Sequence, residues 1–233
     1  MKCYDLTDKI AIVTGGSDGL GLATAERLAA EGAKVVVCAR REDHLRRAVE
    51  GISDRTGGEL LAVRADVSIA ADIEQLVDSA LGRFGGVDIL VNNAGKSAAA
   101  GLEEVSDDDW QDDLNLKVMG AVRACRRVVP IMRERGGGAI VNATIVGGKA
   151  PAARALPTSV SRAAGINLTK SLANEYATAG IRVNTVCIGL LKSEQWVRKA
   201  GNKNPEDLYK ELSGQVPLGR VGESEEYADL VAF

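Results

Sequence analysis

The stretch TGGSDGLG at residues 14–21 carries the first chemistry that can be read from this chain. It carries the spacing Gly15-x-x-x-Gly19-x-Gly21, with an apolar run before it and a segment of helical period after it. A strand, a tight glycine turn and a helix in that order form a binding place for a diphosphate. Gly15 permits the turn, Gly19 lets a pyrophosphate approach the backbone, and Gly21 allows the helix to pack closely on the strand. The turn, with Ser17 and Leu20 in it, leads into the positive end of the helix, which favours the anion. Arg40 and Arg41 follow the second apolar run, where dinucleotide sites often place an acidic residue on the ribose. Two guanidinium groups there make charge-assisted hydrogen bonds to a 2′-phosphate, which an aspartate would repel. The expected cofactor is NADP(H) in preference to NAD(H), although Asp18 inside the turn argues the other way.

Composition removes several other chemistries. Formal net charge is −3, with acidic and basic residues well mixed, so no nucleic-acid-binding face is expected. No apolar run approaches the ~20 residues that a membrane span requires, and the N-terminus enters a strand-like run directly. His44 is the only histidine, which argues against a Ser-His-Asp triad or a multi-histidine metal site, so no metal is expected. Cys3, Cys38, Cys125 and Cys187 are far apart, and Cys38 and Cys187 lie in apolar runs. They read as buried thiols of a cytoplasmic protein.

The elements that must position these residues alternate. Strand candidates are KIAIVTG (9–15), AKVVVCA (33–39), ELLAVRAD (59–66), VDILVNNA (87–94), GAIVNAT (138–144) and IRVNTVCI (181–188). They are apolar runs and not strict alternations, which suits parallel strands covered on both faces. Helical period fills 21–32, closing at Gly32, and 69–84, closing before Gly85. A longer helix begins near Ser106, with Trp110, Leu114, Val118, Val122, Cys125 and Val129 as its apolar stripe. The acidic run DDDWQDD (107–113) at its start is explained by the helix dipole. The pattern is that of a single α/β domain over residues 1–233, with a parallel sheet and right-handed crossovers. Residues 190–215 read either as a lid over the carboxyl edge of the sheet or as a solvated connection. Lys192, Arg198, Lys199 and Lys203 there read as a solvated basic stretch, and Trp196 and Tyr209 either line a pocket or cover the sheet edge.

TGGSDGLG, ADV (65–67), NNAG (92–95), LNLKVMG (114–120) and IRVNTVCIG (181–189) occur in the order and spacing of the short-chain dehydrogenase/reductase family, which the chain resembles over nearly its whole length. That resemblance implies a three-layer, doubly wound Rossmann fold. It implies adenine contacts from Asp66 and Val67, and a ribose-lining role for Asn92, Ala94 and Gly95. It places Gly189 and Ser193 near the nicotinamide end and gives Asn115 a part in organising a proton-relay water. Family members usually continue through one more strand than this sequence carries after SEEYADLVAF, and that strand contributes to an oligomer interface. A homo-oligomer, dimer or tetramer, is expected, with the stripe on the long helix as a further pairing surface.

The catalytic residues depart from the family pattern. Ile145 stands where the resemblance implies serine, Thr158 where it implies tyrosine, and Arg162 where it implies lysine. Of the four family positions only Asn115 is retained. An aliphatic alcohol is too weak an acid to replace a phenol by pKa tuning, and an arginine holds its proton, so Arg162 can clamp a ribose or a carboxylate without relaying a proton. Thr144 points to the opposite face of its strand from Ile145, and Tyr176 lies nearly four turns beyond Arg162. Three readings stay open. One is an oxidoreductase acting on a small-molecule substrate with a non-standard proton path through water, substrate or Tyr209. Another is a redox-inactive NADP(H)-binding sensor or assembly module. The last is non-redox chemistry with Arg162 as an anion clamp.

Overall fold

The computed structural model describes residues 4–193, 196, 197, 201 and 204–233. Six parallel strands form one sheet in the order β3-β2-β1-β4-β5-β6: β1 Ile10–Thr14, β2 Lys34–Ala39, β3 Leu60–Arg64, β4 Ile89–Asn92, β5 Gly138–Ile145 and β6 Ile181–Ile188. All six sequence-predicted strands are present. The order reverses between β1 and β4, which opens a crevice at the carboxyl ends of the central strands.

Period-two alternation explains why the strands read as continuous apolar runs. Ile12, Val36, Leu90 and Ile140 face one side, packed on α3 (Ala70–Phe84) and α5 (Gly120–Glu134). Ala11, Val13, Val35 and Val37 face the other, against α1 (Gly19–Ala30), α2 (Glu42–Thr56) and the C-terminal helix α8 (Ser224–Ala232). Helix α6 (Thr158–Tyr176) joins the first layer, with Leu172, Ala173 and Tyr176 against the same cluster as Ile140. Gly32 and Gly85, at φ +96° and +84°, stop α1 and α3 as the sequence predicts. Among the described residues no helix is long and apolar enough to cross a membrane.

The long helix departs from expectation in its first half. It is α4 (Asp107–Leu114), a π-helical turn over Asn115–Met119, and then α5. Ser106 and Asp109 cap its start through reciprocal hydrogen bonds of 3.1 and 3.2 Å. Trp110, Leu114, Val118 and Val122 of the expected stripe are only half-buried; the fully buried face carries Asp113, Lys117, Gly120, Ala121, Ala124 and Cys125. The wider π turn rotates the helix, so a 3.6-residue period drawn from Trp110 loses the face that packs. Gly120 packs closely on Val67, where a Cβ would stand 3.2 Å from it.

The last segment packs as a separate small cluster. Helix α7 (Pro205–Ser213) buries Tyr209 and Leu212 with Val221, and Leu191 bridges Gly222 in parallel. Arg198, Lys199 and Lys203, like Cys3, lie outside the described residues, whereas Lys192 pairs with Glu223 at 2.8 Å. Cys38 and Cys125 are buried as expected, and burial pushes both thiols up to about 12. Cys187 is only half-buried, because the carboxyl end of β6 borders the open crevice.

Ile140, fully buried in the centre of the first layer, tests the core. Ile140→Ala should lower the unfolding free energy by about 2–5 kcal/mol in urea denaturation; a change within error would mean that this layer is not packed as described.

Candidate active site

A cleft of about 1060 Å³ runs along the carboxyl edge of the sheet. At one end it is floored by the turn between β1 and α1, where Gly15, Ser17, Gly19, Leu20 and Gly21 all line it. Gly15 and Gly19 have φ of +66° and +50°. A side chain on Gly21 would strike the Gly15 carbonyl oxygen, whereas a Cβ on Gly19 would meet nothing within 4 Å. The turn is therefore closed towards the protein and open towards the cleft at Gly19, with the start of α1 behind it.

Arg40 and Arg41 flank this end with side chains 71% and 69% exposed. Each stands 4.0 Å from a carboxylate, Arg40 from Asp66 and Arg41 from Asp18. Exposed pairs at that distance are weak, so the guanidinium groups are available to a stronger anion. Asp66 is oriented by the Ser68 N–H at 2.9 Å and the Ser68 hydroxyl at 2.7 Å. Val67, Ala94, Gly95, Gly189 and Ser193 line the cleft further along.

Two predicted residues stand apart from the cleft lining. Asn92 turns into the sheet, donating to Asn142 at 2.8 Å, and Asn142 donates to Thr169 at 2.9 Å. Its neighbour Asn93, in the same NNAG motif, lines the cleft and donates to the carbonyls of Thr14 and Gly15 at 3.0 and 3.2 Å. Asn115 donates to the Ser68 carbonyl at 3.3 Å and accepts from Arg123 at 2.8 Å.

At the other end, Ile145, Thr158 and Arg162 come together on the cleft. Ile145 closes β5 and turns its side chain to the opening, while Thr144 bonds sideways to Thr185 at 2.8 Å, as alternation requires. Arg162 donates to the Ala143 carbonyl at 2.5 Å, and its Nε is buried with no protein partner among the described residues. Gly95 leaves room for it: a Cβ there would lie 2.5 Å from Arg162 Nη2. Tyr209 is not among the residues lining the cleft; its hydroxyl accepts from the N–H and donates to the carbonyl of Ser193, at 3.3 Å each.

Thr158, the first residue of α6, is held on two sides. Residues Ala100 and Leu156 form an antiparallel bridge that brings the loop after β4 over the start of this helix. The Ala98 N–H then donates to Thr158 Oγ1 at 3.0 Å, and Lys117 Nζ donates to the same oxygen at 3.0 Å. A hydroxyl has two lone pairs and one hydrogen. Both lone pairs are engaged, so the capacity left to Thr158 is that of a donor.

Lys117 comes from the π turn and is ion-paired with Asp113 one turn earlier, both side chains being 1% exposed. Ser161 Oγ donates to the other Asp113 oxygen at 2.6 Å. Burial pushes the Lys117 ammonium down to about 8, aided by the nearby charges of Arg162 and Lys96 and opposed by the hydrogen bond and charge of Asp113. The dipole explanation of the acidic run therefore holds for Asp107, Asp108 and Asp109 in the first turn but not for Asp113. Asp113, Lys117 and Ser161 are site residues that the sequence pattern does not single out. Their signal is an acid and a base four residues apart within a helix, a spacing that usually marks a surface pair.

Known proteins of similar sequence and structure share this arrangement of elements. An uncharacterized oxidoreductase of Thermotoga maritima is 38% identical over 226 residues, covering 97% of this chain and 89% of that protein. L-sorbose reductase from Gluconobacter frateurii, solved with NADPH and L-sorbose, superposes with a TM-score of 0.95 at 34% identity, covering 100% of this chain and 91% of that one. The NADPH-bound short chain oxidoreductase from Pseudomonas aeruginosa PAO1 containing an atypical catalytic center superposes with a TM-score of 0.93 at 36% identity, over 99% of this chain and 90% of that one. The short chain dehydrogenase family matches residues 9–204, a span that takes in the glycine turn, the Thr158 helix and β6, and the chain belongs to that family.

Proposed function

We propose that this chain is an NADP(H)-dependent oxidoreductase that interconverts a small carbonyl compound and its alcohol, with Thr158 as the hydroxyl that meets the carbonyl oxygen. The cofactor end of the reading rests on Gly19, open where a diphosphate approaches, and on the two loosely paired arginines beside it. Solved relatives that carry NADPH superpose over nearly the whole chain, which supports the same choice. When bound, the nicotinamide supplies or accepts the hydride. Arg162, buried beside Gly95 with Nε unpartnered, is placed to hold a sugar hydroxyl of the cofactor.

The observation that carries the reading is the double acceptance at Thr158 Oγ1, from Ala98 and Lys117 at 3.0 Å each. It leaves the hydroxyl hydrogen for an acceptor in the cleft, the geometry that polarises a carbonyl. Ile145 gives no second donor and instead adds an apolar wall, with Val146, Leu190, Trp196 and Val216 around the same opening. That lining suits a carbonyl flanked by apolar groups better than a polyol. The half-buried stripe of Trp110, Leu114, Val118 and Val122 supports self-association.

Cofactor choice is tested by calorimetry. Removing both guanidinium groups with Arg40→Ala and Arg41→Ala should weaken NADPH at least about tenfold, at 1.5–3 kcal/mol per charged hydrogen bond, with NADH changed little. Equal losses for the two dinucleotides would contradict the assignment. Asp18→Asn should tighten NADPH, since it removes a negative charge 4.0 Å from Arg41.

Turnover is tested by nicotinamide absorbance across a panel of ketones and aldehydes. Thr158→Val should lower kcat by about 10²–10⁴-fold, with Thr158→Ser retaining most of it. A wild-type protein that binds NADPH and reduces nothing on the panel, or a Val variant as active as wild type, would overturn the proposal.

A further inference from the structure

An alcohol hydroxyl does not part with its proton unaided, so the question left by Thr158 is where the proton originates. We infer that Lys117, paired with Asp113 and acting through Thr158, is the proton reservoir of this site. The inference rests on the carbonyl–alcohol reading above and deepens it.

The geometry is a chain of three groups. Asp113 holds Lys117 Nζ, Lys117 Nζ donates to Thr158 Oγ1 at 3.0 Å, and Thr158 Oγ1 has its hydrogen left for the cleft. Ser161, in the same first turn of α6 as Thr158, locks the far oxygen of Asp113 at 2.6 Å. Every link is a hydrogen bond between near-immobile groups, because the ion pair is buried from solvent and Thr158 is pinned by the Ala98 N–H. A surface pair at this spacing would leave the ammonium free to move; here the π turn carries it inward.

The step balances as follows. In reduction, the carbonyl carbon takes the hydride from NADPH. The carbonyl oxygen takes the hydrogen of Thr158 Oγ1 as that oxygen takes one from Lys117 Nζ, so no alkoxide forms on threonine. Lys117 is left as the neutral amine beside an ionised Asp113, and the alcohol and NADP⁺ are the products. Alcohol oxidation is the reverse and starts from the amine. Lys117 suits both directions because its ammonium, pushed down to about 8 chiefly by burial, titrates near neutrality. The charged groups that set this value are Asp113 on its own helix, Arg162 from α6 and Lys96 from the loop after β4. A small pocket of about 20 Å³, lined by Lys117, Ser161, Arg162 and Asn142, has room for one water through which the amine regains its proton.

Lys117 touches neither substrate nor cofactor in this scheme, so its test needs readouts that a structural role would not move. In the cofactor-free protein, the lysine Cε resonance of Lys117 should titrate near pH 8, and Asp113→Asn should move that midpoint down, since it removes the anion that favours the ammonium. The pH profile of kcat should follow it. Reduction falls above about pH 8, oxidation rises through the same pH, and both limbs shift to lower pH in Asp113→Asn. Lys117→Arg keeps a donor and the charge but holds its proton throughout this pH range. It should lose the limb and about 10²-fold or more in kcat, while its NADPH dissociation constant and melting temperature stay near wild type. The paired variant Asp113→Leu with Lys117→Met, which removes the buried ammonium together with its carboxylate, should show the same loss with cofactor binding intact. A Lys117→Arg protein with wild-type kcat and an unmoved limb overturns the relay alone, leaving the oxidoreductase reading standing. Failure of the wild type to bind NADPH or to turn over any carbonyl overturns both.

Discussion

The buried contact between the Lys117 ammonium and the Thr158 hydroxyl is the constraint around which this site is arranged. It requires a lysine brought inside a helical layer, an aspartate to hold it there, and a helix start fixed within one hydrogen bond of both. Burying an unpaired ammonium is expensive, so Asp113 is obligatory once Lys117 points inward. The π turn supplies the rotation, Gly120 lets that turn approach Val67, and the Ala100–Leu156 bridge carries Ala98 to the other side of the hydroxyl. The Thr158 hydroxyl thus draws its support from a different helix than the one that holds it.

The two ends of the cleft obey different physics. At the diphosphate end the protein offers backbone and open space. Side-chain volume is excluded there by positive φ at Gly15 and Gly19 and by the Gly15 carbonyl, which leaves no room for a methyl at Gly21. At the Thr158 end it offers a few fixed polar atoms beside the apolar side chains of Ile145, Val146, Leu190 and Val216. The sheet links them, because the reversal of strand order between β1 and β4 places both ends on the same carboxyl edge.

How much of this is legible in the sequence differs between the ends. The six strands, the glycine turn and the arginines follow from local pattern, since parallel strands covered on both faces read as apolar runs and Gly15 to Gly21 carry their spacing openly. The departure at Ile145, Thr158 and Arg162 is legible too, as positions in a resemblance, but what compensates for it is not. Asp113 and Lys117 sit inside what looks like an amphipathic helix, and only a π turn distinguishes an inward pair from a solvated one. That turn has no residue signature in LNLKVMG, and Gly120 at its end lies close against Val67. Of the two adjacent asparagines in NNAG, only geometry decides which faces the cleft and which the sheet.

The most direct test of the account is a crystal structure of the protein with NADP⁺ and an unreactive ketone or amide analogue. The account predicts the analogue oxygen about 2.7 Å from Thr158 Oγ1, with Lys117 Nζ still on the far side of that hydroxyl. An analogue oxygen turned to another donor, with Thr158 beyond hydrogen-bond reach, would contradict it.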